Sequence, residues 1–364
     1  MKLMRLTYIL LGIVLSFSCA SDSNDDTIDT PSGENMYFPP LNSEIWDTEN
    51  LSDLNWNENA TQPLFNFLEN SNTKAFIILK DGKIVTEWYM NNFTQNNIWY
   101  WASAGKTLTA MTLGIAQDEG FINLNDSSAQ YLGNGWSSLT NEEENNIEVI
   151  HHLTMTTGLD YTDFFNQFCT DTDCLYYLNE PGVFWYYHNA PYTLLDNIIT
   201  SAVNENFEDY FTEKIRNKIG MNGFWLQSGY NNIYNSDARS MARFGLLCLN
   251  NGVWDNEVII NDSDYFDAMI NTSQDLNKAY GYLWWLNGKT SFKLPGTTET
   301  FSGKLIPNAP DDLVAGLGAN DQKLYVIPSQ NLVIIRLGEN SAEGHLGPSG
   351  YDNQLWEKIN TLIN

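Results

Sequence analysis

Cations, histidines and cysteines are all scarce in this chain. Its 364 residues carry 18 Lys and Arg against 45 Asp and Glu, a formal net charge of −27. A chain so acidic repels phosphate backbones and anionic headgroups, which argues against nucleic-acid binding and against electrostatic attachment to lipid. There are four histidines, His151, His152, His188 and His345, and no His/Cys pair at zinc-ligand spacing, so no metal site is expected. Gly105-Lys106-Thr107 and Gly288-Lys289-Thr290 both lack the glycine five positions upstream that a phosphate loop needs; Tyr100 and Leu283 stand there. Leu6–Phe17, the apolar run near the start, is too short to span a bilayer.

That run follows Lys2 and Arg5, and residues 1–18 have the form of a signal peptide. It ends Leu15-Ser16-Phe17-Ser18-Cys19, a loose match to a bacterial lipobox with Cys19 as the lipid-bearing residue. Plain cleavage and secretion is the alternative. Residues 19–39 are rich in Ser, Asp, Asn and Thr without periodicity, an acidic tether between anchor and body. The expectation is an exported protein, periplasmic or at the cell surface, that meets the membrane only through a lipid. Cys169 and Cys174 bracket a polar loop and suit a local disulfide in an oxidising compartment, with other pairings open. Cys248 lies in an apolar run and reads as a core thiol.

The body, residues 40–364, begins and ends with strand signals. Ala75–Leu79 and Lys83–Tyr89 are β-rich and joined through Asp81-Gly82, a hairpin turn. Tyr280–Leu286, Lys323–Ile327 and Leu332–Leu337 read as later strands, and Asn353–Ile363 as an amphipathic helix. Between them, residues 126–274 read as mostly helix and loop. The expected fold is α/β (α+β): one antiparallel sheet built from both chain ends, flanked by helices, with a mainly helical lobe inserted.

Ser103-Ala104-Gly105-Lys106 opens an apolar helix running to about Gln117. Residues three apart on a helix share a face, so the two side chains can meet. A serine alcohol needs a base in reach, and lysine serves only if burial lowers its pKa. The spacing also arises by chance: Ser71-Asn72-Thr73-Lys74 repeats it in a loop context. On the bland alternative, Ser103 caps a buried helix and Lys106 snorkels outward.

Further stretches carry a likeness. Ile150–Leu159 resembles a segment that follows the nucleophile helix in a known family, Tyr187-His188-Asn189 its Tyr-x-Asn element, and Ser240–Gly245 a later helix. Together with Ser103-x-x-Lys106 they resemble the serine β-lactamase and penicillin-binding-protein superfamily. The branch is that of class C β-lactamases, D-aminopeptidases, esterases and nylon-oligomer hydrolases. Five Tyr-x-Asn matches exist, at Tyr89, Tyr177, Tyr187, Tyr230 and Tyr351; only the Tyr187 copy lies in the mid-chain lobe directly before an apolar helix.

The resemblance implies that Ser103 is the nucleophile, with Lys106 and Tyr187 sharing its proton. Asn189 would donate to the substrate carbonyl while accepting from Lys106. A phenol beside an ammonium is expected to have a lowered pKa, and His188 is expected to be structural. The glycine-rich strand at Gly318 and Ala319 would complete the oxyanion hole. This chain departs from the family there: Gly316–Gln322 carries no cation before the glycine, which removes the usual partner for a substrate carboxylate. The implied activity is hydrolysis of an amide or ester through an acyl-enzyme, on a small-molecule or peptide-like substrate, without cofactor. The alternatives are a non-catalytic ligand-binding or sensor module and a nylon-oligomer-type amidase. Residues 289–313, with three prolines, either roof the site or decorate the surface, and the oligomeric state is left open.

Overall fold

Residues 36–341 and 347–364 are described by a computed structural model. The expected signal peptide, Cys19, His345 and most of the expected tether lie outside them. Residues 36–39, also assigned to the tether, belong to the body instead. Tyr37 N–H donates to Asp81 O at 3.0 Å, and Arg243 donates to the carbonyls of Pro39 at 3.3 Å and Pro40 at 2.8 Å.

Helix α1 (Thr61–Asn70) leads into the hairpin β1 (Thr73–Lys80) and β2 (Lys83–Tyr89). A short strand β3 (Trp99–Tyr100), a 3-10 turn (Ala102–Gly105) and helix α2 (Lys106–Asp118) follow. The middle of the chain supplies α3 (Asn189–Val203), the hairpin β4 (Phe224–Ser228) and β5 (Asn231–Ser236), and α4 (Ala238–Leu249). Then come β6 (Trp285–Leu286), β7 (Val314–Gly318), β8 (Gln322–Ile327), β9 (Leu332–Gly338) and helix α5 (Gly350–Ile363).

The main sheet runs β2-β1-β9-β8-β7-β6, with every pairing antiparallel. Strands from the two halves of the chain therefore close one sheet, as the sequence pattern predicts. Ala75–Leu79 is apolar without alternation because both faces are covered, and all five residues are fully buried. On one face lies α4, whose Gly245 touches the sheet: a Cβ there would stand 2.4 Å from Val333 Cγ1. On the other lies α5, where Trp356 packs edge-on against Tyr325 at 5.7 Å. Leu324 and Tyr325 are neighbours on β8 and so point to opposite faces.

Two expectations need correction. The predicted strand Tyr280–Leu286 shrinks to Trp285–Leu286, because Leu283 adopts φ 63° and Gly281 N–H turns back to Trp284 O at 2.9 Å. A small sheet, β3-β5-β4, also forms, its β4–β5 hairpin lying in the middle region that is expected to be mostly helix and loop. Its hairpin is rich in asparagine and mostly unburied, so it carries little apolar alternation.

Charged groups lie inside the body as well. Lys323 is fully buried and pairs with Asp352 at 2.8 Å and Asp321 at 3.1 Å; Tyr325 OH also donates to Asp352, at 2.5 Å. Asp352 in addition accepts from Ser349 N–H at 2.8 Å, capping α5. Asp352→Ala should leave the ammonium half-compensated and remove the carboxylate half of the α5 capping box. The expected loss is about 3–5 kcal/mol in urea unfolding.

His152 and His188 are buried and neutral. His152 bridges Ser128 Oγ at 2.9 Å and Pro191 O at 2.8 Å, and His188 meets Asn166 O at 2.9 Å. Burial lowers the pKa of each from 6.5 to about 4. The unfolded chain therefore takes up protons near 6.5 while the folded chain does not until about 4, so stability falls as pH drops through that window. The slope is about 1.4 kcal/mol per pH unit for each histidine. Urea midpoints measured from pH 7 to 4 should decline accordingly, and His188→Gln should flatten part of the decline.

Candidate active site

The backbone places Ser103 before its side chain does anything. Trp101 is fully buried, its N–H bonded to Tyr234 O at 2.9 Å and its indole Nε1–H to Ser236 Oγ at 2.8 Å. Both bonds go to β5, so the small sheet holds the approach to Ser103. Ala102 then takes φ 48°, a left-handed conformation that costs a non-glycine residue about 1–2 kcal/mol. The fixed Trp101 anchor maintains that strain.

Across the turn lies the end of β7. A Cβ on Gly318 would stand 2.4 Å from Trp101 O and 3.1 Å from Ala104 N. Only glycine lets the strand approach the Ser103 turn this closely. Gly318 itself is buried beneath the cavity wall, and Ala319 lines it. The following turn carries Asn320 and Asp321, both with positive φ, and Asn320 Nδ2 donates to Tyr100 OH at 2.8 Å.

Ser103, Lys106, Tyr187, Asn189 and Ala319 meet around one cavity of about 250 Å³. Lys106 Nζ lies 3.3 Å from Ser103 Oγ, as the three-residue spacing predicts. Lys106 does not snorkel; it is 4% exposed, and its ammonium sits 3.8 Å over the Tyr192 ring and 5.5 Å from the Tyr187 ring. Burial brings its pKa from 10.5 down to about 7, against the raising effect of Asp196.

Tyr187 hydrogen-bonds Ser103, yet burial raises its pKa well above 10. The expected lowering by the neighbouring lysine is thus corrected. The ring stacks on Trp285 at 5.8 Å and meets Tyr280 edge-on at 6.2 Å, an apolar setting that penalises the phenolate. Tyr187 is a neutral phenol, a proton donor. Asn189 opens α3 on the cavity wall, but no hydrogen bond joins it to Lys106. Lysine faces aromatic rings where the amide was expected.

Other parts of the site escape the sequence pattern. Pro295 and Gly296 line the cavity, so the proline-rich segment contributes to its wall. Phe164 and Phe168 add apolar surface, and Asn231, Asn232 and Ile233 enter from β5. Asn232 belongs to the Tyr230 copy of Tyr-x-Asn, set aside above. Lys106 is the only cation among the described residues lining the cavity. Lys293 donates instead to Thr298 O at 3.0 Å, Lys304 pairs with Asp311, and Lys323 is sequestered beneath the sheet. Cys169 and Cys174 form a disulfide next to Phe168, and Cys248 is a buried free thiol.

The same architecture recurs in solved structures. One from Bacillus anthracis, provisionally assigned as a 6-aminohexanoate-dimer hydrolase, aligns with a TM-score of 0.66 at 20% identity over 89% of this chain and 88% of its own. A provisionally assigned β-lactamase from Bacteroides dorei DSM 17855 aligns at 0.65 and 14%, covering 84% and 98%. A penicillin-binding protein from Bacillus halodurans aligns at 0.59 and 14%, covering 81% and 99%. At such identities the likeness is one of fold. No curated protein matches the sequence. The sequence profile of the Beta-lactamase family, however, matches residues 70–339, most of the chain and all of the cavity's principal groups. The chain belongs to the Beta-lactamase family.

Proposed function

We propose that the protein is a serine hydrolase that cleaves a neutral amide or ester through an acyl-enzyme on Ser103. The observation that carries this is the buried Lys106 amine, 3.3 Å from Ser103 Oγ and near half-deprotonation at neutral pH. Lys106 takes the Ser103 proton as Oγ attacks the carbonyl carbon. The N–H groups of Ser103 and of the Gly318–Ala319 segment receive the oxyanion. Tyr187, neutral and bonded to Ser103, passes a proton to the leaving alcohol or amine and is recharged from Lys106. Water then releases the acid and restores the serine.

Substrate charge follows from the walls. Among the described residues lining the cavity a carboxylate would find no cation other than Lys106, whereas Phe164, Phe168 and Ile233 offer apolar surface. The Cys169–Cys174 disulfide supports an oxidising compartment and hence export, with the lipid anchor at Cys19 as part of the same proposal.

A fluorophosphonate probe followed by peptide mapping should label Ser103; label elsewhere, or none on folded protein, would overturn the assignment. Ser103→Ala should lower kcat/KM for an activated neutral ester by more than about 10³-fold. The kcat/KM profile should rise through an acid limb near pH 7, where Lys106 loses its proton. Paired substrates with and without a carboxylate should show no preference for the anion, and β-lactams should acylate Ser103 faster than they are released.

A further inference from the structure

Helix α3 carries one charged residue in its fifteen, Asp196. It stands four positions after Tyr192 and seven after Asn189, so the three share a helix face. That face is turned toward the site, since Asn189 and Tyr192 line the cavity and the Lys106 ammonium rests on the Tyr192 ring. Asp196 Oδ2 accepts from Asn232 Nδ2 at 3.0 Å. Its Oδ1 is shielded from solvent and has no hydrogen-bond partner. The rest of the residue is partly exposed to a second cavity, of about 400 Å³, which shares Asn232 with the first.

A shielded carboxylate oxygen without a donor keeps its charge only beside a compensating positive charge, and otherwise takes up a proton. Among the described residues lining either cavity, Lys106 is the only cation. The groups around the pair are otherwise acidic or phenolic. Tyr187 and Tyr192 face Lys106, and Tyr280 packs behind them. Glu208 and Tyr230 border the second cavity opposite Asp196, with Glu208 accepting from Trp225 N–H at 3.3 Å and Tyr230 donating to Asp171 at 2.5 Å. None of these supplies positive charge to the aspartate.

We propose that Asp196 is a positioning residue for the reaction: its carboxylate is the counter-charge that holds the Lys106 ammonium over Tyr192 and governs when the amine is free to take the Ser103 proton. This rests on the Ser103–Lys106 reading above. Each group perturbs the other. Burial raises the carboxyl toward about 7 while Asn232 and Lys106 oppose that, and the Asp196 charge raises an amine that burial lowers. With both groups titrating near neutrality, the pair shares its protons, and removing the acid releases the lysine's proton earlier. Asn232 acts one step further out, by stabilising the carboxylate as an anion.

The test is an NMR titration of the full chain with lysine labelled at 13Cε, the Lys106 signal identified by its loss in Lys106→Met. Asp196→Asn keeps the side-chain shape and should lower the Lys106 midpoint by about one pH unit, a tenfold change in acidity. Asn232→Ala should move it in the same direction by less, and serves if Asp196→Asn fails to fold. In turnover, the acid limb of kcat/KM should move down with the NMR midpoint while KM stays put. A merely structural aspartate would lower activity without moving the limb. An unmoved Lys106 midpoint in folded Asp196→Asn overturns the proposal, whatever Ser103 does. A shifted midpoint in a protein whose Ser103 takes no label would sustain the counter-charge and remove the hydrolase reading instead.

Discussion

The pairing of β1 with β9 is the constraint from which the site inherits its geometry. Thr73 and Arg336 are 263 residues apart in sequence, yet Arg336 Nε donates to Thr73 Oγ1 at 3.1 Å. The guanidinium is fully buried and has no carboxylate partner among the described residues. It is satisfied by the carbonyls of Asn320 at 3.1 Å, Asp321 at 2.8 Å, Ser71 at 2.7 Å and Glu339 at 2.9 Å. One side chain thereby fastens the start of the first strand to the turn after β7. That turn carries Ala319 to the cavity wall. An ammonium could not span these acceptors, because it lacks the planar fork of donors.

Burial then decides the chemistry, with opposite consequences for two neighbouring groups. The ring cluster of Tyr187, Tyr192, Tyr280 and Trp285 withholds water from both Lys106 and the phenol of Tyr187. Low polarity disfavours charge of either sign. It therefore lowers the lysine's pKa to about 7 and raises the tyrosine's well above 10, which is what the proposed roles of base and acid require. The division of labour between a proton acceptor and a proton donor starts from this shared apolar setting, against which the Asp196 charge raises the lysine. Strain at Ala102 and close approach at Gly318 accompany it, as expected where backbone must be brought near a reacting atom.

Much of this is legible in the chain. Apolar strands without alternation and Asp81-Gly82 at the hairpin identify the sheet through short-range periodicity, and the apolar helix behind Ser103 singles out that copy of the spacing, whereas the nucleophile role proposed for Ser103 comes from the resemblance. The small β3-β5-β4 sheet is not, because asparagine at 231, 232 and 235 and exposed positions in β4 erase the alternating pattern on which such a reading depends. With that sheet hidden, Asn232 and Ile233 are hidden too, and one Tyr-x-Asn copy loses its context. Asp196 had a signal, a lone acid on an otherwise uncharged helix, which acquires meaning only once Tyr192 is seen beneath the Lys106 ammonium.

By itself the sequence determined what local spacing can encode: which residues share a helix face, where hairpins turn, and that Ser103 and Lys106 must lie within reach of one another. The tertiary structure decided the properties that depend on surroundings. Whether Lys106 is an exposed cation or a buried base, whether Tyr187 gives or takes a proton, and which loops enclose the cavity are set by groups far away in sequence. The physical reason is desolvation, which depends on everything packed around a side chain and on nothing in its own spacing.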